Sequence, residues 1–433
     1  MVRPATRPVL SSQAPRNKSR LSRHLSPLIA TISGLFCKRT TDLDSLSPKY
    51  TSTTMITKYL CSTVILVLTL AHTTASAKQT QVYFGTGRGG EGIYSAQLDS
   101  ATGTLSPITL AAAVEFPGFL ATHPNQQFLY ATTTGFDEPS SAGVAAFRCQ
   151  ADGSLTLLNK QPSHGSSACH LSVDATGRAL VVANYGSGNV SSFQIRADGT
   201  LTASVSSHQH NGSAQDPKRQ REPHPHSAFI HPNNRYVYVP DLGIDKVMIY
   251  SLDPARATLT PCGSAEVPGG SQGPRHMKFS IDGEYAYVLN ELSLTVATYS
   301  VNITNGQLDH IDTQSVFTNG IAAEGMSCAE IRMHPSERWI FASIRDLEGQ
   351  GRDALSTFKR AADGSIALIA NTPAGVYFPR NFNIDPSGKW LIVGGQRSSS
   401  LAIFSINQDT GALTLKSADI PFEGQPICVE FLQ

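Results

Sequence analysis

From about residue 80 onward the chain is written in short apolar runs separated by turn residues. No stretch is apolar at every third or fourth position for long enough to predict a helix. Seven times a turn precedes a new apolar run: Thr102-Gly-Thr-Leu105, Asp152-Gly-Ser-Leu155, Asp198-Gly-Thr-Leu201, Arg256-Ala-Thr-Leu259, Asn305-Gly-Gln-Leu308, Asp363-Gly-Ser-Ile366 and Thr410-Gly-Ala-Leu413. The Asp-Gly and Asn-Gly pairs supply the positive φ that a tight hairpin requires. Most intervals fit a repeat of roughly 40–50 residues with loop insertions. A second mark is offset from the first, in alternating strands that begin at Phe119, His170, His226, His276, Glu330, Asn381 and Cys428. Six of these run into a short turn, at His123, Asp174, His231, Asp282, His334 and Asp385, and a second strand follows, as in 235–241 and 284–290. A third strand comes next, as in 246–252.

Four short antiparallel strands per unit make a propeller blade. The last first-strand, 428–433, has nothing after it to pair with, and 81–87 matches a second strand that lacks a first. The two halves complete one blade. The pattern therefore predicts an all-β, seven-bladed β-propeller closed by pairing the C-terminal strand with the N-terminal strands, which removes a sheet edge. An open solenoid of blades would not need a split unit.

The residues ahead of the repeats differ in kind. Residues 1–54 are rich in Ser, Thr and Arg and offer no period on which to build a core, so they read as a disordered or over-extended leader. From Met55, a basic start, an apolar run over 60–71 and Ala75-Ser-Ala77 form a signal peptide over 55–77. The run falls short of the ~20 residues of a membrane-spanning helix. Met55 is then the expected true start, 78–433 the propeller domain, and the protein exported to a periplasmic or extracellular space.

Export changes the charge balance. The segment 1–77 holds ten Lys and Arg against Asp42 and Asp44, so its removal turns a formal net charge of +1 into −7. Nucleic acids and anionic membranes, which demand a basic face, are not expected partners. Five cysteines remain, Cys149, Cys169, Cys262, Cys328 and Cys428, an odd number with no C-x-x-C pair. That argues against a disulfide framework or zinc site and for small core residues. A monomer without cofactor or metal is expected.

Blade geometry places the candidate site. If each first strand lines a central channel, its starting residue sits at one mouth, and the antiparallel second strand returns there. Strand starts bring His170, His226, His276, Glu330 and Asn381. Second-strand ends bring Asn184, Asp241, Asn290, Glu291, Arg345 and Gln396. Arg275 and Arg380 precede two starts, and Arg332 lies two residues into another. One histidine at a strand start is ordinarily structural, and Asn184 or Asp241 can cap a turn. Convergence of His, Arg and Glu at one mouth is what points to a site. His123, His231 and His334 share their turn position with Asp in other blades and read as structural.

The residues then match a family. Cys169-His-Leu-Ser-Val-Asp174, Val182-Ala-Asn-Tyr-Gly-Ser187, Pro223-His-Pro-His-Ser227 (which adds His224), Val239-Pro-Asp-Leu-Gly243, Gly273-Pro-Arg-His276, Val288-Leu-Asn-Glu-Leu-Ser293, Ala329-Glu-Ile-Arg332 and Pro379-Arg-Asn-Phe382 resemble the seven-bladed lactonase family over residues 80–433. That family contains the bacterial propeller-type 6-phosphogluconolactonases and is related to carboxymuconate-lactonizing cyclases. The resemblance implies a metal-free enzyme that opens a sugar lactone with water. Such chemistry needs a base for water and a cation for the oxyanion. His226 or His276, oriented by Glu291 or Glu330, is the candidate base. Arg275 and Arg332 are candidates for the oxyanion or a substrate anion. His170, His224, Asn184, Asp241, Asn290, Arg345, Arg380, Asn381 and Gln396 are candidates for substrate binding.

Two features qualify the expected substrate. An exported protein would rarely meet a phosphorylated intermediate, which opens the expectation to an unphosphorylated aldonolactone or another substrate. The polar insertion 211–221 lies near the mouth and is placed to reshape it. A cyclase-type lyase and a non-catalytic ligand-binding propeller are the rival readings. A metal-dependent lactonase would need a Glu/Asn/Asp cage, whereas His and Arg dominate here.

Overall fold

The structure, a computed structural model, describes residues 79–136, 141–318 and 323–432, all within the compact unit Thr74–Gln433. The expected leader 1–54 and signal peptide 55–77 lie outside the described residues. Every regular element among those described is a strand, and the strands form seven antiparallel sheets. Six are consecutive meanders, such as Ala168–Val173, Ala179–Asn184, Asn189–Ile195 and Leu201–Gln209. The seventh is composite. Pro426–Phe431 is its inner strand, followed by Gln79–Thr86, Gly92–Asp99 and the short Thr104–Leu105 and Thr109–Ala113. Val82 pairs with Phe431, Phe84 with Val429 and Gly85 with Cys428, so the ring closes as the split unit requires. A side chain at Gly85 would strike the Pro117 carbonyl of the next blade, which explains glycine at the seam.

Burial follows position in the blade. The second strands Ala179–Asn184, Tyr236–Asp241 and Trp339–Asp346 are buried at every residue, because both faces of a blade lie against its neighbours. The outer strand Leu201–Gln209 instead alternates partly buried with exposed residues beyond Leu201. Between blades, Tyr287 and Leu289 share one apolar cluster with Ile331, Ile340 and Ile344 of the following sheet. Polar staples reinforce these seams. The Nε2 atoms of His123, His231 and His334 each lie 2.9 Å from the carbonyl oxygen of a turn glycine in the next blade, Gly177, Gly283 and Gly388.

One irregularity recurs where the inner strands begin. Register shifts leave Cys169, Arg275, Arg380 and Ile427 without a cross-strand partner, and a wider shift skips Ala329 and Glu330. An added residue breaks the strict alternation of a strand and re-aims its side chain. Neighbours such as Arg275–His276 and Arg380–Asn381 can then face one space together.

Candidate active site

The bulged residues Cys169, Arg275, Arg380 and Ile427 all line one cavity of about 670 Å³. Beside them stand His226, His276, Glu291, Arg345 and Asn381, with Phe116 and Phe119 on one wall and Tyr185 and Arg219 on another.

Glu291 is the hub of a cationic cluster. Arg275 Nε donates to its Oε2 at 2.9 Å, and Arg345 Nη2 lies 3.2 Å from the same oxygen. Arg219 Nη2 donates to Oε1 at 2.9 Å. Burial alone would raise this carboxyl, but the guanidiniums of Arg345, Arg275 and Arg219 outweigh it and hold it well below the ordinary range. A carboxylate so stabilised is a poor proton acceptor. Arg275 is only 1% exposed and also donates through Nη1 to the Ala329 carbonyl. Arg345 donates to the Cys328 carbonyl at 2.7 Å.

Arg380 is different. Its side chain makes no ion pair or hydrogen bond with any described residue, although it lines the cavity. Burial, with Arg275 and Arg345 close by, pushes its guanidinium down to about 9. Four arginines therefore face this space against the one carboxylate of Glu291.

His276 has the arrangement of a general base. Its Nδ1 lies 3.2 Å from Glu330 Oε1, and since a carboxylate only accepts, the ring proton sits on Nδ1. That leaves the lone pair on Nε2, which is buried and has no hydrogen-bond partner among the described residues. Burial first, then Arg275, Lys278, Arg332 and Arg380, drives its pKa well below 6.5, so the ring is neutral. Glu330 is itself fixed by the backbone N–H of Ile331 at 3.0 Å and by the Asn381 amide. His226 is likewise held neutral, by burial and then by Arg275, with Nδ1 3.8 Å from the Cys169 sulfur. The His226 and His276 rings meet edge to face at 5.5 Å.

The remaining candidates lie around this space. Glu330 stands behind His276. Arg332 is lower in the channel, donating to the Phe382 carbonyl at 3.2 Å, with Nη2 3.5 Å from Glu330. His170 packs between Phe119 and Phe229 and accepts from the Ala228 N–H at 3.3 Å. His224 stacks on Tyr185 at 4.4 Å. Asn184 bonds Ser163, Asn290 bonds Thr295, and Asp241 binds His210 and the N–H of His224. Gln396 reaches only toward Gln425. Strand alternation explains Asn184 and Asn290. Each ends a second strand and bonds within its blade, while the next residue, Tyr185 or Glu291, lines the cavity. Tyr185 was absent from the expected set although it follows Asn184 directly. Arg219 was also absent; only the polarity of the insertion signalled it.

Comparison with known proteins places this geometry. The family model described as lactonase, seven-bladed beta-propeller, matches residues 81–431. A 6-phosphogluconolactonase of Bacillus subtilis is 34% identical over 79% of this chain and 95% of its own length. One from Yersinia pestis is 33% identical over 73% of this chain and 88% of its own. Among solved structures, the Pseudomonas aeruginosa periplasmic gluconolactonase superposes with a TM-score of 0.75 at 26% identity, over 82% of this chain and 99% of that one. A closed seven-bladed ring, a histidine–carboxylate pair and an arginine-rich cavity thus coincide with kinship to lactone-hydrolysing enzymes, and the chain belongs to the seven-bladed β-propeller lactonase family.

Proposed function

We propose that the protein hydrolyses a sugar δ-lactone carrying an anionic group, as in 6-phosphogluconolactone, by general-base attack of water and without a metal ion. Arg380 carries this reading, as a guanidinium lining the cavity whose side chain forms no ion pair or hydrogen bond with any described residue. Guanidinium matches phosphate and carboxylate oxygens in paired hydrogen bonds. The metal-free character is supported by the donors that already occupy both carboxylates, arginines on Glu291 and His276, Asn381 and a backbone N–H on Glu330.

In the reaction, His276 Nε2 takes a proton from water as its oxygen attacks the lactone carbonyl carbon. The carbonyl oxygen becomes an oxyanion that Arg275 or Arg380 stabilises. Collapse breaks the bond to the ring oxygen, which takes the proton back from Nε2 and leaves as a hydroxyl. The product is the open hydroxy acid, and Glu330 balances the transient imidazolium throughout.

An unphosphorylated aldonolactone is the second reading. Similarity to the Pseudomonas aeruginosa periplasmic gluconolactonase and the signal pattern over 55–77 favour it, together with action outside the cytoplasm. The deciding experiment compares gluconolactone with its 6-phosphate in the presence of EDTA. A higher kcat/KM for the phosphorylated lactone, undiminished by EDTA, is the expected result. Preference for the neutral lactone would select the second reading, and loss of activity restored by a divalent cation would overturn the metal-free mechanism. A protein that closes muconate-type lactones, or binds lactones without turnover, would belong to the rival classes.

The pH profile gives an independent check. A base works only when unprotonated, and His276 lies well below 6.5, so kcat/KM should stay level as pH falls to about 6.5. An acid limb centred above 6.5 would remove His276 from the role.

A further inference from the structure

The segment between the outer strand Leu201–Gln209 and Pro223 is tied down by buried side chains that do not line the cavity. At its start, His210 is 2% exposed, with Nδ1 2.6 Å from Asp241 Oδ2 and Nε2 2.7 Å from the Tyr250 hydroxyl. Near its end, Gln220 is fully buried and donates to the Leu242 carbonyl at 2.8 Å and to Asp245, while its Oε1 accepts from the Asp216 N–H at 2.9 Å. Asp216 Oδ1 in turn accepts from the N–H groups of Lys218 and Arg219 at 2.8 and 3.0 Å. An eleven-residue polar insertion is thereby fixed as a strap, and its one side chain at the cavity is Arg219.

Arg219 differs from the other arginines on Glu291. Arg275 and Arg345 are buried and share Oε2, so they neutralise the carboxylate from within the fold. Arg219 takes Oε1 from the open side, with 39% of its side chain exposed, and the same Nη2 lies 3.2 Å from the Tyr185 hydroxyl. Nε and Nη1 make no hydrogen bond to any described residue and remain free to donate. Tyr185 and Glu291 thus hold the guanidinium at the rim, with two donor groups unspent.

We propose that this strap makes Arg219 a specificity-determining residue, which grips the anionic group of the lactone from the rim while Arg380 faces it from the cavity wall. The inference rests on the lactonase reading and names its selecting residue. Glu291 keeps two buried partners when Arg219 is removed, so the site survives the change. The strap is the device that brings a fourth cation to a cavity whose other three are fixed by the blades.

Binding of the product anions tests this without requiring turnover. Calorimetry would compare 6-phosphogluconate with gluconate on the full chain and on Arg219→Ala. A charge-assisted hydrogen-bond pair is worth roughly 10- to 100-fold in affinity. The expected result is a loss of that size for 6-phosphogluconate and a much smaller loss for gluconate. Gln220→Ala, which loosens the strap from outside the cavity, should move the ratio the same way by a smaller factor. Equal losses for both anions, unchanged affinity, or a wild-type protein that does not distinguish them would each overturn the proposal. Lactone hydrolysis measured on the same wild-type preparation separates that outcome from failure of the lactonase reading itself.

Discussion

Removing residues 428–433 is expected to abolish cooperative folding. The strand Pro426–Phe431 is the inner strand of the composite blade, and its loss unpairs Val82, Tyr83, Phe84 and Gly85 together. Cys428, Val429 and Phe431 are each at most 3% exposed, and Val429 and Phe431 share a cluster with Val82, Phe84, Ile392 and Phe422. Burying an apolar side chain of this kind contributes about 1.5–3 kcal/mol. Three of them approach the roughly 5–15 kcal/mol net stability of a whole domain before any hydrogen bond is counted. The damage also spreads sideways. Leu120 N–H bonds the Cys428 sulfur on one side, and Val429 N–H bonds Asn381 on the other, so both adjoining blades lose a contact. The shortened protein should lack a sharp thermal transition and run as aggregate on size-exclusion chromatography, because Gln79–Thr86 becomes an open edge. A melt indistinguishable from the intact chain would mean that the ring does not depend on this seam.

Closure of that kind was legible in the sequence because repetition exposes it. Seven hairpin turns with Gly or Ala before an apolar run count the blades, and the half unit at each end locates the seam. The strand starts also placed His226, His276 and Arg275 together, and the structure has them line one cavity. What repetition could not convey is which way a side chain points once alternation is broken. Arg275 and His276 are adjacent, so a regular strand would send them to opposite sides, and only the bulge between Pro274 and His276 reconciles them. The same limit explains Asn184 and Asn290, which lie at the right height yet turn into the blade, one residue short of Tyr185 and Glu291. Arg219 was invisible for another reason. Its place depends on Gln220 reaching Leu242 and Asp245, contacts 22 and 25 residues away, and no local pattern encodes them.

Replacing His276 by Asn should slow hydrolysis by roughly two to four orders of magnitude in kcat, the range for losing a general base. Asn can keep a donor near the position of Nδ1 and so retain Glu330, while it deletes the lone pair of Nε2. The loss then reports chemistry and not a collapsed site, provided the melt stays within a few degrees. Glu330→Gln should cost less, roughly one to two orders, because an amide no longer fixes the proton on Nδ1 and the ring spends time in the wrong tautomer. Arg275 needs different handling. A strand-start position reads as replaceable at little cost, but a side chain 1% exposed and bonded to Glu291 and Ala329 is part of the core. Arg275→Ala would leave a cavity and a free carbonyl, so Arg275→Lys is the informative change. Lysine keeps the charge but not the paired donors. A fall in kcat with KM held would place Arg275 at the oxyanion, and a rise in KM with kcat held would place it on the substrate's remote anion. His226→Asn completes the set. Among the described residues its ring has the Cys169 sulfur and no hydrogen-bonded carboxylate to orient it, so its loss should be the smaller of the two histidines. If His226→Asn instead costs more than His276→Asn, the proton passes through His226, and Glu330 serves the fold rather than the reaction.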